Sequence, residues 1–579
     1  MSEDASGSPE RVAIGISFGN SNSSIAHIGV DGKPEVIANE EGDRHIPSIL
    51  SYVDGEEFHG TQAKQQLIRN AKNTVAYFRD YLAKEFKSID PTHSHQSAHP
   101  QQHDSTVAFS IRDTTDENPN TVAVSEIVTR HLRRLKTSAS EFLGKTVNAA
   151  VMTVPTDFSD AQREALVAAA KAAEIEVLQL IHEPVAALLA YDARAEAVIK
   201  DKVVVVADLG GIRSDVAVVA SRGGMYTILA TVHDYELGGA NLDQILIDHF
   251  AKEFNKKHQI DPRNETRGLA KLKQEAEAAK KALSLSTNAT LSVESLASGI
   301  DFSSTINRTR YEILGNRVFG QFVELIQQAL RKAELDVLDV DEVILSGGTS
   351  HTPKIARLVQ NLFPEKTTVL APSTSSTAIN PSDLAARGAA LQASLIQEYD
   401  REDIERSIHP AVTATPHLNR AIGMQLVSAS DSDSSAVFQP LVREDTALPA
   451  RRIAQYPVPE QGGDVLVRIA EGTREIKVTK PEPKPKLESS EEEKTGDDDN
   501  DEDDLSDLDE DEEEEEEIRE IVWKAGDAIA EIALKNVPAG GKVELVANIG
   551  ADLGMQITAR EVGGKSGVRV TVDPPQGSS

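Results

Sequence analysis

The stretch that decides the fold is Lys202-Val-Val-Val-Val-Ala-Asp208-Leu-Gly210-Gly211-Ile-Arg-Ser-Asp215-Val-Ala-Val-Val-Ala220. An apolar run leads into an aspartate and a double glycine, and a second apolar run follows. This pattern predicts a buried strand, a tight turn and a returning strand. Because glycines have no side chain, the backbone amides of such a turn can approach a phosphate closely. The stretch therefore predicts a phosphate-binding hairpin with Asp208 at the end of its first strand.

The same arrangement occurs near the N-terminus, as Val12-Ala-Ile-Gly15-Ile-Ser17-Phe-Gly19-Asn20-Ser21-Asn22-Ser23-Ser24-Ile-Ala-His-Ile28. Neither unit is a Walker loop, because the Gly-x-x-x-x-Gly-Lys-Ser/Thr motif is absent and each turn leads into a strand rather than a helix. A single glycine-rich hairpin is usually only a turn. Two of them, about 190 residues apart, predict a duplicated fold that holds a nucleotide between its halves.

Composition sets the class of protein. The chain has 579 residues, of which 39% are hydrophobic and 4% aromatic, and it has no cysteine. These values favour a multidomain α/β protein and exclude disulfides, thiolate metal sites and thiol catalysis. The polar first ten residues and the absence of a long apolar run predict a soluble cytosolic or nuclear protein.

The charge is concentrated in one tract. The formal net charge is −33, and residues 488–517 hold 21 acidic residues against one basic residue. This balance argues against direct binding of nucleic acid. The tract has too little apolar surface to fold, so residues 482–519 are predicted to be a disordered acidic insertion. Residues 1–10 are also predicted to be disordered.

Up to residue 396, predicted strands alternate with predicted helices. The helices are expected from Gly60, over 70–84, 122–142, 159–173, 184–191, 266–284 and 353–363, and from 382 to 399. Glu183 lies where a strand feeds a Pro-initiated helix, as either a helix cap or a catalytic carboxylate, and the residues alone favour the cap. Residues 397–410 read as a charged linker. Beyond it, short alternating strands are predicted at 421–427, 436–441, 465–470, 475–478, 521–537, 542–549, 554–560 and 568–572.

Four further motifs are distinctive: His182-Glu183-Pro184-x-Ala-Ala, Glu236-Leu-Gly-Gly239, Gly299-Ile-Asp-Phe302 and Ser346-Gly-Gly-Thr349. With the two hairpins, they resemble the seventy-kilodalton heat-shock chaperone family. The resemblance implies a two-lobed actin-like (ribonuclease H-like) ATPase domain over 11–396. It also implies a β-sandwich domain over 411–579, which here has no helical lid.

The resemblance also implies the residues of a site for ATP. Lys64 would position the attacking water, and Glu183 and Asp208 would complete the catalytic group. Asp208 and Asp215 would hold a magnesium ion through water. Contacts to the nucleotide are implied for Gly19, Asn20, Ser21, Gly210, Gly211, Arg213, Gly238, Gly239, Gly347 and Gly348. Glu277, Lys280, Lys281 and Ser284 lie on one helix face, which alone reads as a solvated charged face; the family makes it an adenosine clamp.

The chain departs from the family at the phosphate turns. Ser17 replaces an aspartate, Asn20 and Ser21 replace two threonines, and Ile212 and Arg213 replace a glycine and a threonine. Losing one group that stabilises transition-state charge typically costs ~3–4 kcal/mol. The Arg213 guanidinium can pair with a phosphate in place of an ion, which favours bound ATP without turnover.

These losses are similar to the Ssz type, an atypical fungal branch of the family. That branch implies a cytoplasmic, ribosome-associated scaffold that binds ATP with little or no hydrolysis. It implies a stable complex with a J-domain partner of the zuotin type and action on nascent polypeptides, with no direct contact to nucleic acid or membrane. The alternative is an active ATP-hydrolysing chaperone that cycles on clients, which Lys64, Glu183 and Asp208 favour. A sugar kinase or actin relative is disfavoured by the C-terminal β domain.

Overall fold

The computed structural model describes residues 11–90, 97–116, 118–194, 200–407, 416–428, 438–458, 463–479, 518–563 and 567–574. The chain divides into two compact units, Met1–Ala414 and Thr415–Ser579. The predicted disorder of residues 1–10 and 482–517 lies outside the described residues. Residues 518 and 519, assigned to the insertion from the sequence, belong to a strand.

The helices of the first unit are α1 (Gly60–Gln66), α2 (Val124–Leu143), α3 (Asp160–Ala172), α4 (Glu183–Asp192), α5 (Gly239–His258), α6 (Thr266–Leu285), α7 (Arg308–Leu314), α8 (Asn316–Lys332), α9 (Pro353–Leu362), α10 (Leu384–Ile396) and α11 (Arg401–Ser407). Its strands are β1 (Ala13–Phe18), β2 (Asn22–Ile28), β3 (Pro34–Ile37), β4 (Ile46–Pro47), β5 (Ile49–Val53), β6 (Glu56–His59), β7 (Thr74–Ala76), β8 (Pro100–His103), β9 (Thr106–Ile111), β10 (Asn120–Ala123), β11 (Ala149–Val154), β12 (Glu176–His182), β13 (Lys202–Leu209), β14 (Ser214–Arg222), β15 (Met225–Asp234), β16 (Asn288–Ala297), β17 (Ile300–Asn307), β18 (Glu342–Ser346) and β19 (Thr368–Leu370).

Two sheets of this unit have the same topology. One runs in the order β3-β2-β1-β11-β12 and the other in the order β15-β14-β13-β18-β19. In each sheet the first three strands of the chain form antiparallel pairs, and the last two add in parallel. The duplicated fold predicted from the two hairpins is confirmed, and both hairpins contain the central strand of their sheet.

Each sheet packs on a core of its own. The first core includes Ile14 and Ile16 of β1, and the second includes Val203 and Val205 of β13, all at most 5% exposed. The opposite faces of the sheets contact α10 and α4, two helices rich in alanine. The two hairpins are therefore fixed on both sides by buried apolar surface, which holds their turns in place.

Two stretches of this unit differ from the expectation. Residues 70–84, predicted to be helical, form the short strand β7 between single 3₁₀ turns. Residues 401–407, predicted to be linker, form α11. Ile404, which is 7% exposed, packs there in a cluster with Ile181 and Ile396. The apolar surface that Ile404 buries favours an ordered helix here, although most residues of the segment are charged.

The second unit contains β20 (Ala421–Ser428), β21 (Gln439–Val442), β22 (Ala450–Pro457), β23 (Gly463–Thr479), β24 (Ile518–Val537), β25 (Lys542–Ile549), β26 (Met555–Glu561) and β27 (Gly567–Val572). They form two four-stranded antiparallel sheets, in the orders β21-β20-β23-β24 and β22-β25-β26-β27. The sheets share one apolar core. Strand β22 was not predicted, and the two strands expected within 465–478 are one continuous strand.

Within the part of the chain that the structure describes, every helix is too short or too polar to cross a lipid bilayer.

Candidate functional site between two hairpin turns

The two central hairpins close with the same hydrogen bond. The Gly19 amide donates to the Asn22 carbonyl over 3.1 Å, and the Gly210 amide donates to the Arg213 carbonyl over 2.9 Å. The two turns are in direct contact. A Cβ atom added to Gly211 would lie only 2.5 Å from Ser21 Oγ. The backbone of the second turn thus approaches the first as only a glycine permits.

Two other glycine turns pack beside the second hairpin. Gly347, which follows β18, has a φ of 82°, and a Cβ there would lie 2.4 Å from the Leu209 carbonyl oxygen. The Gly239 amide donates to the Gly210 carbonyl over 3.0 Å. Strand ends from both halves of the unit therefore converge on one place.

Between the turns lies a cleft that opens to solvent, with about 790 Å³ of empty space when its open mouth is included. The predicted site residues that line it are Gly19, Asn20, Ser21, Glu183, Asp208, Gly210, Gly211, Arg213, Asp215, Gly347 and Gly348. The other described residues predicted for the site do not line this cleft: Lys64, Gly238, Gly239, Glu277, Lys280, Lys281 and Ser284. The structure thus brings most of the predicted glycines together with Glu183, Asp208 and Asp215, and leaves the α6 residues outside this cleft.

Lys64 lies outside the cleft and pairs with a residue of α6. Its Nζ donates to both carboxylate oxygens of Glu277 on α6, over 2.8 and 2.7 Å. The cation that does line the cleft beside Glu183 is Arg79. Arg79 Nη1 lies 3.2 Å from Glu183 Oε1 and 3.2 Å from the Phe18 carbonyl oxygen. No local pattern pointed to Arg79, because the segment around it was predicted to be a helix of basic and apolar residues.

The Asn20 side chain forms hydrogen bonds with the same segment, at residues 79 and 80. Its side-chain oxygen accepts from the Arg79 amide over 3.0 Å, and its amide nitrogen donates to Asp80 Oδ2 over 3.3 Å. Asn20 therefore fixes the first turn to residues 79–80. Its side chain is 8% exposed at the cleft wall.

Glu183 does not act as a helix cap. The cap position of α4 belongs to His182, and the Glu183 carboxylate pairs with Arg79 instead. Burial raises the pKa of Glu183 to about 8, with nearby Asp208 and Asp215 adding to the effect and Arg79 opposing it. The raised pKa means that this carboxyl group takes up a proton more readily than an ordinary glutamate does.

Asp208 and Asp215 are direct neighbours across the β13–β14 pair. Burial, followed by repulsion from Asp215, raises the pKa of Asp208 to about 6. Asp215 is held differently, because Arg213 Nε donates to its Oδ2 over 2.9 Å and a second guanidinium nitrogen of Arg213 contacts its Oδ1. The two aspartates predicted to hold magnesium through water thus have unequal surroundings.

The predicted adenosine clamp is a linked group of side chains on α6. Lys280 Nζ lies 2.9 Å from the Gly239 carbonyl oxygen and 2.8 Å from Asp243 Oδ1. Ser284 Oγ donates to the Lys280 carbonyl over 3.3 Å, and Lys281 lies 2.9 Å from Glu277. This face is not simply solvated. Through Gly239 it reaches the glycine turns that close the cleft.

The geometry defines an α/β protein whose duplicated halves enclose a cleft of glycine turns and buried carboxylates. The sequence model of a family described as "Hsp70 protein" matches residues 13–407. The chain belongs to the Hsp70 family.

Similar proteins cover nearly the whole chain. The chain is 43% identical to "Ribosome-associated complex subunit SSZ1" of Saccharomyces cerevisiae, over 95% of this chain and 97% of that protein. It is also 43% identical to a heat shock protein 70 homologue of Schizosaccharomyces pombe, over 96% of this chain and 94% of the homologue. A "Heat shock 70 kDa protein 14" of Danio rerio is 34% identical, over 76% of this chain and 84% of its own length. The resemblance to an atypical fungal member of the family is confirmed.

Proposed function

We propose that this chain is an atypical chaperone subunit that binds ATP between its two hairpins and hydrolyses it little or not at all. The observation that carries the proposal is the ion pair between Arg213 and Asp215 in the second hairpin, beside the other carboxylates of the cleft. Ser17 stands where the family has a further carboxylate, and burial raises the pKa of Glu183. The cleft keeps the shape for a nucleotide while its charge pattern disfavours turnover.

The first unit, over residues 11–396, acts in this proposal as a two-lobed actin-like nucleotide-binding domain, joined by residues 397–410 to a lidless β-sandwich over 411–579. The repeated sheet topology supports the lobes. Two sheets around one core support the sandwich, and the described residues 416–574 include no helix. The adenosine would lie toward Lys280 and Ser284, and the phosphates between the hairpins.

The cellular role proposed is that of a scaffold or co-chaperone in the cytoplasm. The printed name of the Saccharomyces relative places that protein in a ribosome-associated complex. By this similarity the chain would form a heterodimer with a J-domain protein of the zuotin type and assist nascent chains at the ribosome. An extended segment of that partner would add to an edge strand of the β domain, where unpaired backbone groups are available.

One observation favours the alternative of an active chaperone ATPase. Glu183 and Asp208 both line the cleft, and Arg79 supplies a cation beside them. Bound nucleotide adds charge that changes the protonation of these carboxyls. Hydrolysis stimulated by a J-domain partner would identify this alternative.

The binding step is tested by calorimetric titration of ATP into the purified full chain, with Gly347→Ala and Gly320→Ala as a matched pair. A Cβ at Gly347 meets Leu209 and Asp208, whereas at Gly320 on α8 it meets nothing within 4 Å. Wild type and Gly320→Ala are expected to bind one ATP, and Gly347→Ala to lose binding because the backbone at this edge of the cleft must shift. Absence of binding by the wild type, or full binding by Gly347→Ala, would contradict the proposed site.

A further inference from the structure

Arg213 connects the two halves of the first unit, which contain β1–β12 and β13–β19 respectively. It closes the second hairpin, yet its guanidinium reaches two carboxylates of the first half, Asp157 Oδ1 over 3.0 Å and Asp80 Oδ2 over 3.4 Å. Its third partner, Asp215, belongs to its own half. All three guanidinium nitrogens thus donate to carboxylates, and two of these three carboxylates lie across the boundary between the halves.

The contacts across the boundary are ion pairs between largely buried groups. The Arg213 side chain is 7% exposed, and those of Asp80 and Asp157 are 17% and 20% exposed. Burial acts to raise the pKa of both carboxyl groups, but nearby cations outweigh it and lower both. The cation is Arg213 for the pKa of Asp157, and Arg79 together with Arg213 for the pKa of Asp80. Both carboxylates are therefore charged at neutral pH, and water screens them little.

Tyr235 adds a second link between the halves. Its hydroxyl, from the second half, donates to Asp157 Oδ2 over 2.6 Å. Its ring centre lies 4.7 Å from the central carbon of the Arg213 guanidinium. Such stacking favours one orientation of the guanidinium. Both oxygens of Asp157 therefore accept from residues of the second half.

The segment that bears Asp80 is itself fixed to the first hairpin. Tyr77 and Ala83, on either side of it, have φ angles of 57° and 54°, which residues with a side chain seldom adopt. Strain of this kind persists only where the surrounding contacts hold it. Asn20 of the first turn supplies such contacts, because it accepts from the Arg79 amide and donates to Asp80. The second turn is thus connected to the first through Asp80 and Asn20.

We propose that the contacts of Arg213 with Asp80 and Asp157, the Arg213 bridge, hold the two halves at one separation whether or not a nucleotide is bound. Moving the halves apart leaves buried charges without partners, which is strongly unfavourable. The protein itself then sets the width of the cleft, and ATP does not change the surface that the first unit presents to a partner. The inference goes beyond the proposed function and does not require that ATP bind.

The test measures the distance between the halves in the full chain. Because the chain has no cysteine, Glu141→Cys on α2 and Gln274→Cys on α6 place one spin label on each half, at exposed positions. Double electron–electron resonance is recorded on nucleotide-free protein and with excess ATP. The same mean distance is expected in both samples. A longer distance in the nucleotide-free protein would overturn the inference.

Variants in this double-cysteine background locate the effect. Asp157→Asn removes a charge from the Arg213 bridge at a residue outside the cleft wall. Without nucleotide it is expected to give a longer mean distance and a broader distribution. Arg213→Gln is expected to give a larger shift, because it breaks both ion pairs, and Asp157→Asn serves if Arg213→Gln fails to fold.

The matched control is Arg130→Gln. Arg130 also contacts three carboxylates and a tyrosine ring, but all of them lie in the first half. Its loss is expected to leave the distance between the halves unchanged. Unchanged distances in the folded variants of the Arg213 bridge, or an equal shift in the control, would contradict the proposal.

The comparison of variants is made without nucleotide, so it decides the inference independently of ATP. Absence of ATP binding in calorimetry would overturn the proposed function and leave the Arg213 bridge in place. Separated halves in the nucleotide-free wild type would overturn the bridge and leave ATP binding in place. The two failures are therefore distinguishable.

Discussion

The turn of residues 19–22 and the turn of residues 210–213 have the same backbone and different chemistry. Both join the central strand of a five-stranded path to its antiparallel neighbour, and both close with one hydrogen bond. The first turn ends at Asn22, which is exposed, and the second ends at Arg213, which is buried among carboxylates. The two turns therefore share the backbone that shapes the cleft and differ in the charge that their last residues bring to it.

The largest expected effect is the loss of Arg213. Arg213→Ala leaves Asp80, Asp157 and Asp215 without their shared cation, and breaking a buried ion pair costs about 3–5 kcal/mol. The equivalent change in the first turn, Asn22→Ala, is expected to stay within about 0.5 kcal/mol. Thermal unfolding of the two variants measures this difference. Equal stability of both variants would show that the turns are energetically alike.

The second effect is a dependence of stability on pH at Glu183. Its pKa is raised to about 8 from an ordinary value of 4.5, so folding takes up a proton between these values. Stability therefore falls as the pH rises through this window. Glu183→Gln removes the titration, so its stability relative to wild type is expected to rise as the pH rises from about 5 to about 8. Melting temperatures across this range measure the gain.

The control for Glu183 is Glu164→Gln on α3, where the side chain is exposed. It is expected to follow the wild-type pH profile. A Glu183→Gln profile parallel to wild type would show that the carboxyl group is ionised in the folded chain at neutral pH.

The contact between the turns gives the third effect. In Gly211→Ala the new methyl group meets Ser21 Oγ at 2.5 Å and Ser21 Cβ at 2.9 Å. Overpacking of this kind costs about 1–3 kcal/mol. Ser21→Gly removes both atoms, so the double variant is expected to recover most of the loss in a double-mutant cycle. Additive losses in the double variant would show that the turns do not touch.

The smallest effect concerns Lys64. Its pair with Glu277 is partly exposed, with 30% of the lysine side chain accessible, and such pairs contribute about 1 kcal/mol or less. Lys64→Ala is therefore expected to weaken ATP binding less than Arg79→Ala, which removes a buried cation from the cleft. Calorimetry on both variants decides this. A larger loss of ATP binding in Lys64→Ala than in Arg79→Ala would show that Lys64 belongs to the site.

Local patterns predicted much of this fold. The two hairpins followed from apolar runs broken by glycine. The helix over 159–173 followed from Ser159, whose hydroxyl accepts from the Gln162 amide in a capping box. Residues 70–84 were predicted wrongly because their fold depends on packing against the first turn. Strand β22 was missed because its side chains alternate between half-buried and exposed at a sheet edge, and only Tyr456 is buried.

The site was predictable in part for a related reason. Glycines and aspartates at strand ends mark the cleft within short stretches of sequence. The environment of Arg213 depends on Asp80 and Asp157, which are 133 and 56 residues away in the chain. No local pattern shows such a partnership, so the arginine was expected to face a phosphate and its carboxylate partners went unnoticed. Only the fold brings these charges together.

The most direct test of the account is single-turnover hydrolysis of bound ATP by the full chain, with and without a J-domain partner. The account predicts that ATP stays intact on the protein and that the partner changes the rate by less than about twofold. Stimulation of about tenfold or more would contradict it. Glu183, Asp208 and Arg79 would then form a working hydrolytic site, and Arg213 would be compatible with turnover.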